Sequence, residues 1–213
     1  MAQRVDGRVE RGNQTRRAIL GRSMQIASVE GLAGLSLGRV ATELEVSKSG
    51  VFALFGSIEE LQLATVRAAR AVFAEHVILP SVDQPAGPER LWRMCRDWIV
   101  YSRDRVFAGG CFFATVSAEF SARSGPIHDL VAAADLEWNG YLESVAAEAV
   151  ESGVMRSGTD PAQLAFELIA FMETANLRSL MHGDDAAYDR AATSIRDRLL
   201  LVATDPAALR SLA

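Results

Sequence analysis

The chain has 213 residues, 49% hydrophobic and 23% charged, which excludes global disorder and fits one compact domain or two small ones. No window supplies the roughly 18 uncharged apolar residues of a membrane helix, since the longest uncharged stretch, 106–118, contains Gly, Ser and Thr. The net charge of −5 is unevenly spread: residues 1–56 carry Arg4, Arg8, Arg11, Arg16, Arg17, Arg22, Arg39 and Lys48 against Asp6, Glu10, Glu30, Glu43 and Glu45. A basic N-terminal quarter on an acidic body fits either a DNA-contacting head or simply a basic tail. No apolar core follows the first arginines, so they form no secretory signal and the expected location is cytoplasmic, at the nucleoid when DNA is bound. Cys95 and Cys111 suit neither a disulfide framework nor a zinc ligand set and read as small core residues.

In chain order, a flexible arm is expected over 1–12. A first amphipathic helix follows from Asn13 to Glu30, with Asn13 or Thr15 as its cap and Ile19, Ile26 and Ala27 on its apolar face. Ser36 caps a short second helix to Leu44, and Glu45-Val46-Ser47 breaks it. Ser47 then caps a third helix ending at Phe55, which Gly56 stops. Ser57-Ile58-Glu59-Glu60 is a capping box for a fourth helix running to about His76. Beyond the Pro80 to Pro88 loop, helical patterns cover 89–102, 110–122, 126–153, 160–181 and 184–202, and Asp205-Pro206 opens one more turn. Asp160-Pro161-Ala162-Gln163 is a clear start signal, because Asp caps and Pro suits the first helical position. No run shows period-two alternation, so the fold class is all-α with about nine helices.

The second and third helices are each about nine residues long and separated by three. Ala41 is small where they would cross, and Val46, Val51 and Phe55 would pin the third helix onto the first. This is a helix-turn-helix spacing, though two short capped helices also occur in other all-α cores. Enzymatic readings find little support. His76, His128 and His182 sit in no metal or catalytic spacing, Gly109-Gly110 lacks the strand and third glycine of a dinucleotide loop, and Cys111 lacks a close basic neighbour. No catalytic residue, metal or cofactor is expected.

The stretch from Thr15 to Leu61, above all Val40 to Leu61, resembles the N-terminal DNA-binding domain of the tetracycline-repressor (TetR) family of bacterial transcriptional regulators. The resemblance implies a helix-turn-helix head at 13–56 and a ligand-binding and dimerisation domain at 57–213. It also implies a homodimeric regulator, usually a repressor, released from a palindromic operator by a small molecule. Carried over by position, Ser47 is the cap of the recognition helix and faces a phosphate. Lys48 and Ser49 approach base edges or phosphates, Ser36 caps the second helix towards a phosphate, Thr42 is a contact from that helix, and Arg16 and Arg17 reach the flanking backbone. Phe52 stands where the family usually has Tyr. It keeps the ring and loses the hydroxyl.

Other departures are Glu45 at the usual glycine of the turn, Ala53-Leu54 for an aromatic or His pair, and Gly56 and Ile58 where lysines are common. A left-handed Glu45 would cost roughly 1 kcal/mol or more, and each lost phosphate contact flattens the salt dependence. These departures support an alternative, a helical ligand-binding or partner-binding homodimer with weakened operator binding.

The body is rich in large side chains that serve either as plain core or as a pocket. The resemblance makes Trp92, Cys95, Phe113, Trp138, Met172, Glu173 and Asn176 the pocket candidates, for a small hydrophobic or aromatic ligand. Glu173 and Asn176 interrupt the apolar run 164–177, where either would orient a ligand or face solvent. The last two long helices are expected to form the homodimer, with Tyr188, Ala192, Ile195, Leu199 and Val202 as one stripe, and 160–181 apolar on more than one side.

Overall fold

The computed structural model describes residues 7–207. Nine α-helices carry the described chain: α1 (Gly7–Glu30), α2 (Leu37–Glu43), α3 (Lys48–Phe55), α4 (Ile58–Phe73), α5 (Pro88–Arg103), α6 (Phe112–Phe120), α7 (Pro126–Glu151), α8 (Pro161–His182) and α9 (Ala186–Val202). Among the described residues there is no strand, only isolated bridges pairing Phe107 with Gly110 and Met155 with Ala203.

Of the arm expected at 1–12, residues 1–6 lie outside the described residues, and the chain is helical from Gly7. Thr15 is therefore interior to α1, where its hydroxyl donates to the Arg11 carbonyl at 2.9 Å instead of capping. The later caps form, although at Ser57 only the serine half of the expected capping box is present among the described residues. Ser36 accepts from Arg39 N at 3.1 Å, Ser47 from Gly50 N at 3.0 Å and Ser57 from Glu60 N at 3.0 Å. Asp160 Oδ1 accepts from Ala162 N at 3.0 Å and Gln163 N at 3.2 Å, with Pro161 opening α8. α4 ends at Phe73, before His76. A widened π turn (Ala74–Ile78) and a 3-10 turn (Leu79–Ser81) follow, where Pro80 cannot donate to an α ladder.

The α2 terminus is a Schellman motif, with Val46 N donating to Ala41 O at 3.0 Å and Glu45 N to Thr42 O at 3.3 Å. Such a motif places one residue in the left-handed region. Here that residue is Glu45, at φ 55, so the strain expected from a non-glycine turn is present.

By contacts the chain divides into two compact units. The first comprises the residues up to Arg70 together with Phe107–Val131. In it α2 packs on α3 and α6 lies along α1, around the buried side chains of Ile19, Ile26, Leu32, Val40, Val51 and Phe55. A β-carbon at Gly109 would lie 1.8 Å from the Ser28 carbonyl oxygen, so only glycine lets the segment before α6 lie this close to α1. Glu119 of α6 accepts from Leu32 N at 2.6 Å and Ala33 N at 3.0 Å, satisfying the amides of the 3-10 turn Leu32–Gly34.

The second unit comprises Ala71–Val106 and Ala132 onward. Here α8 and α9 pack on each other and both pack on α5. Tyr188, Ile195, Leu199 and Val202 are all buried in this unit's own core, so the α9 stripe assigned to a partner chain faces inward. The reason is chemical as well as geometric: Tyr188 OH shares a buried cluster with Ser102 Oγ at 2.7 Å and Asn176 Oδ1 at 3.3 Å, bonds that fix that face on α5 and α8. What stays exposed is Phe166, Leu177, Leu180 and Met181 of α8 and Leu201 of α9. α8 is indeed apolar on two sides, for Leu164, Leu168 and Met172 are buried. Cys95 and Cys111 are both buried, and burial pushes the Cys95 thiol up to about 12. No described helix is long and apolar enough to cross a membrane.

Candidate nucleic-acid interface

α3 is eight residues long and buries Val51 and Phe55, one turn apart, against the first unit's core. Its exposed side carries two pairs at the same spacing, Lys48 with Phe52 next to the buried stripe and Ser49 with Ala53 opposite it. Phe52 keeps 56% of its surface in solvent. At the helix start the Ser47 hydroxyl satisfies Gly50 N, and the amides of Lys48 and Ser49 have no intrahelical partner. Ser49 Oγ donates to Ser47 Oγ at 3.3 Å, so the two hydroxyls form one polar edge. Ser36 and Thr42 of the neighbouring segment are also exposed, and the Thr42 hydroxyl donates back to Gly38 O at 3.0 Å.

The basic residues of this unit divide by what they touch. Arg16, half-buried, donates from Nη1 to the Leu54 carbonyl at 2.9 Å and lies 4.4 Å from the centre of the Phe55 ring. Its guanidinium therefore ties α1 to the end of α3. Arg39 holds Glu30 through both terminal nitrogens, at 2.6 and 2.7 Å, Glu43 at 2.9 Å and the Gly34 carbonyl at 3.0 Å. Arg22 also pairs with Glu43. Hydrogen bonding to Arg39, ahead of any other cause, holds the Glu30 and Glu43 carboxyls below their ordinary range, and the same bonds raise the Arg39 pKa. Arg17 and Lys48 are exposed, and no ion pair among the described residues engages either. Lys48, one helical turn before the exposed phenyl ring of Phe52, and Arg17 on α1 are thus among the cations open to an anionic partner.

Arg39 was legible only in part. Its partner Glu43 stands at the helical spacing of four, whereas Glu30 comes within reach only when α1, the 3-10 turn and α2 fold together. Glu119, distant in sequence from the amides it caps, gives no local signal.

The pocket candidates do not gather at one place that the structure singles out. Phe113 belongs to the first unit, half-buried and edge-on to Phe112 with ring centres 5.3 Å apart. The other six belong to the second unit. Trp92, Cys95, Met172 and Asn176 are buried there, and Trp138 is half-buried, edge-on to Phe73 at 5.1 Å. Asn176 Oδ1 accepts from Ser102 Oγ at 2.8 Å, so its polar end is engaged within the core. Glu173 is exposed on α8, but neighbouring chain crowds the carboxyl, and that desolvation, then the charge of Asp135, raises its pKa. A separate groove of about 470 Å³ is lined by Gln84, Pro85, Arg90, Val154, Thr204 and Asp205, with none of the seven in its wall.

An all-α chain whose short capped helix pair presents the outer face of its second helix is built as a helix-turn-helix regulator. Residues 87–195 match the family described as "Tetracyclin repressor-like, C-terminal domain". The chain belongs to the tetracycline-repressor family, one of transcriptional regulators. Solved structures agree on the fold. A TetR transcriptional regulator from Chloroflexus aurantiacus superposes with a TM-score of 0.80 at 20% identity, over 87% of this chain and 94% of that one. A TetR-family regulator from Agrobacterium tumefaciens gives 0.78 at 18% identity, over 91% and 100%. AibR, solved with isovaleryl coenzyme A and operator DNA, gives 0.70 at 19% identity, over 88% and 97%. A search of curated proteins finds no match.

Proposed function

We propose that this protein is a homodimeric, ligand-responsive repressor that holds duplex DNA through α2 and α3 and releases it when a small molecule binds the second unit. The observation that carries the DNA reading is the outer face of α3: a serine-capped start and the exposed side chains of Lys48, Ser49 and Phe52, with no ion pair among the described residues engaging Lys48. Ser36, Thr42, Ser47, Lys48, Ser49 and Phe52 form its contact set and Arg17 adds a backbone contact. Arg16 acts through position, because its guanidinium is committed to Leu54 and Phe55. The exposed apolar side of α8, with Leu201 of α9, supplies the twofold interface. The ligand reading rests on the family and on the DNA-bound AibR complex with an acyl coenzyme A.

A second reading keeps the dimer and the ligand but gives the head little operator affinity. It is favoured by the commitment of Arg22 and Arg39 to acids and by the missing hydroxyl at Phe52.

Fluorescence anisotropy separates the two. The purified protein is titrated into labelled DNA from upstream of its own gene and into scrambled DNA, at low and moderate salt. The first reading predicts preference for the upstream DNA with two chains per site. Equal weak binding to both, unchanged in Lys48→Ala, supports the second.

A further inference from the structure

We infer that Phe52 is a specificity-determining residue that reads thymine methyl groups in the major groove. The inference rests on the reading of α3 as an operator-contacting helix. A phenyl ring with more than half its surface in water contributes little to the protein's own core, and it has no atom that can bond a phosphate or a base edge. It nevertheless stands on the side that α3 turns to solvent, one helical turn from Lys48 and next in sequence to the exposed Ala53. Among the groups that B-DNA displays in its major groove, the thymine C5-methyl is the apolar one, and aromatic and alanine side chains are its matching contacts. Seating the ring there would remove apolar surface from water on both partners. The occupant of this face is therefore duplex DNA with thymine on the strand under Phe52, within about one to two base steps of the group that Lys48 touches. Charge complementarity favours the same occupant, since Lys48 lies one helical turn from the ring and no ion pair among the described residues engages it.

The test begins with full-length protein selecting its preferred duplex from a random-sequence pool, followed by replacement of thymidine with deoxyuridine, one position at a time. Deoxyuridine removes the methyl and leaves base pairing intact. Wild-type protein should lose affinity at one or two positions per half-site, by about fourfold for each methyl removed. Phe52→Ala should bind the thymine and uracil duplexes equally while melting at the wild-type temperature, because the ring is exposed. Lys48→Ala should bind more weakly yet keep the preference for thymine. The proposal is overturned if no position responds to loss of the methyl, or if Phe52→Ala keeps the wild-type preference. If the pool yields no preferred sequence, operator binding itself fails and the methyl readout falls with it. A selected sequence without methyl dependence refutes the role of Phe52 alone.

Discussion

Arg16 and Lys48 are both basic residues of the head, but they do different physical work. The Arg16 guanidinium satisfies the Leu54 carbonyl and covers the Phe55 ring, so Arg16→Ala strips a hydrogen bond and a ring contact that join α1 to α3. We expect a loss of about 1–2 kcal/mol of folding stability in urea denaturation, with DNA affinity falling only as that geometry loosens. Lys48 is exposed, and no ion pair among the described residues engages it. Lys48→Ala should leave the denaturation midpoint unchanged and, where the ammonium meets a base edge, cost roughly 1–3 kcal/mol of DNA binding in anisotropy titrations. Equal stability losses in the two variants would refute this division. Sequence pattern identified both as basic residues near a helix start, and could not separate them. The carbonyl and ring that engage Arg16 lie on another helix, and only the folded arrangement assigns it a structural task.

At the level of elements, one arginine ties α2 to the segments before it. Arg39 spans the end of α1, the 3-10 turn and α2 through Glu30, Gly34 and Glu43. The two carboxyls have folded-state pKa values below their unfolded ones. Above the ordinary carboxylate range both are ionised in either state, and their contribution to stability is complete. As pH falls through that range towards the lowered folded values, the unfolded chain takes up protons first and the contribution is lost. Arg39→Gln should therefore flatten the fall in stability on the acid side of pH 5, read as the denaturation midpoint against pH. An acid limb as steep as in wild type would contradict it. The caps of α2, α3, α4 and α8 were legible because each is decided by one side chain and an amide two or three residues on. The left-handed Glu45 was expected from the resemblance, because it stands at the usual glycine of the turn. The start of α1 was not legible, because Thr15 can either cap or bond back four residues, and local sequence does not choose.

The whole molecule turns on which face of α8 and α9 is left over. Heptad-like spacing in α9 marks an apolar stripe but not its partner, and Tyr188, Ile195 and Leu199 are spent on the chain's own core. Phe166, Leu177 and Met181 remain exposed on α8, a patch of the kind that marks an interface. Leu177→Glu should convert the protein to a monomer in analytical ultracentrifugation without loss of helix content, and weaken binding to a two-half-site duplex more than to a single half-site. A dimer unchanged by this charge would place the interface elsewhere. The fold class was legible throughout the chain, because helical periodicity and caps are local. The pocket was not: Trp92, Cys95, Met172 and Asn176 are indistinguishable by pattern from the core residues they also are.

Lys48 is the one lysine in the sequence, and this allows the central claim, that the outer face of α3 meets DNA, to be tested at a single atom. The protein is treated with an amine-acylating reagent, alone and with saturating duplex selected from a random pool, and acylation at Lys48 is read by peptide mass spectrometry. Contact through α3 predicts fast acylation of Lys48 in the free protein and strong protection by the selected duplex, with the protection lost as salt releases the DNA. Acylation of Lys48 at the same rate with and without bound duplex would contradict it.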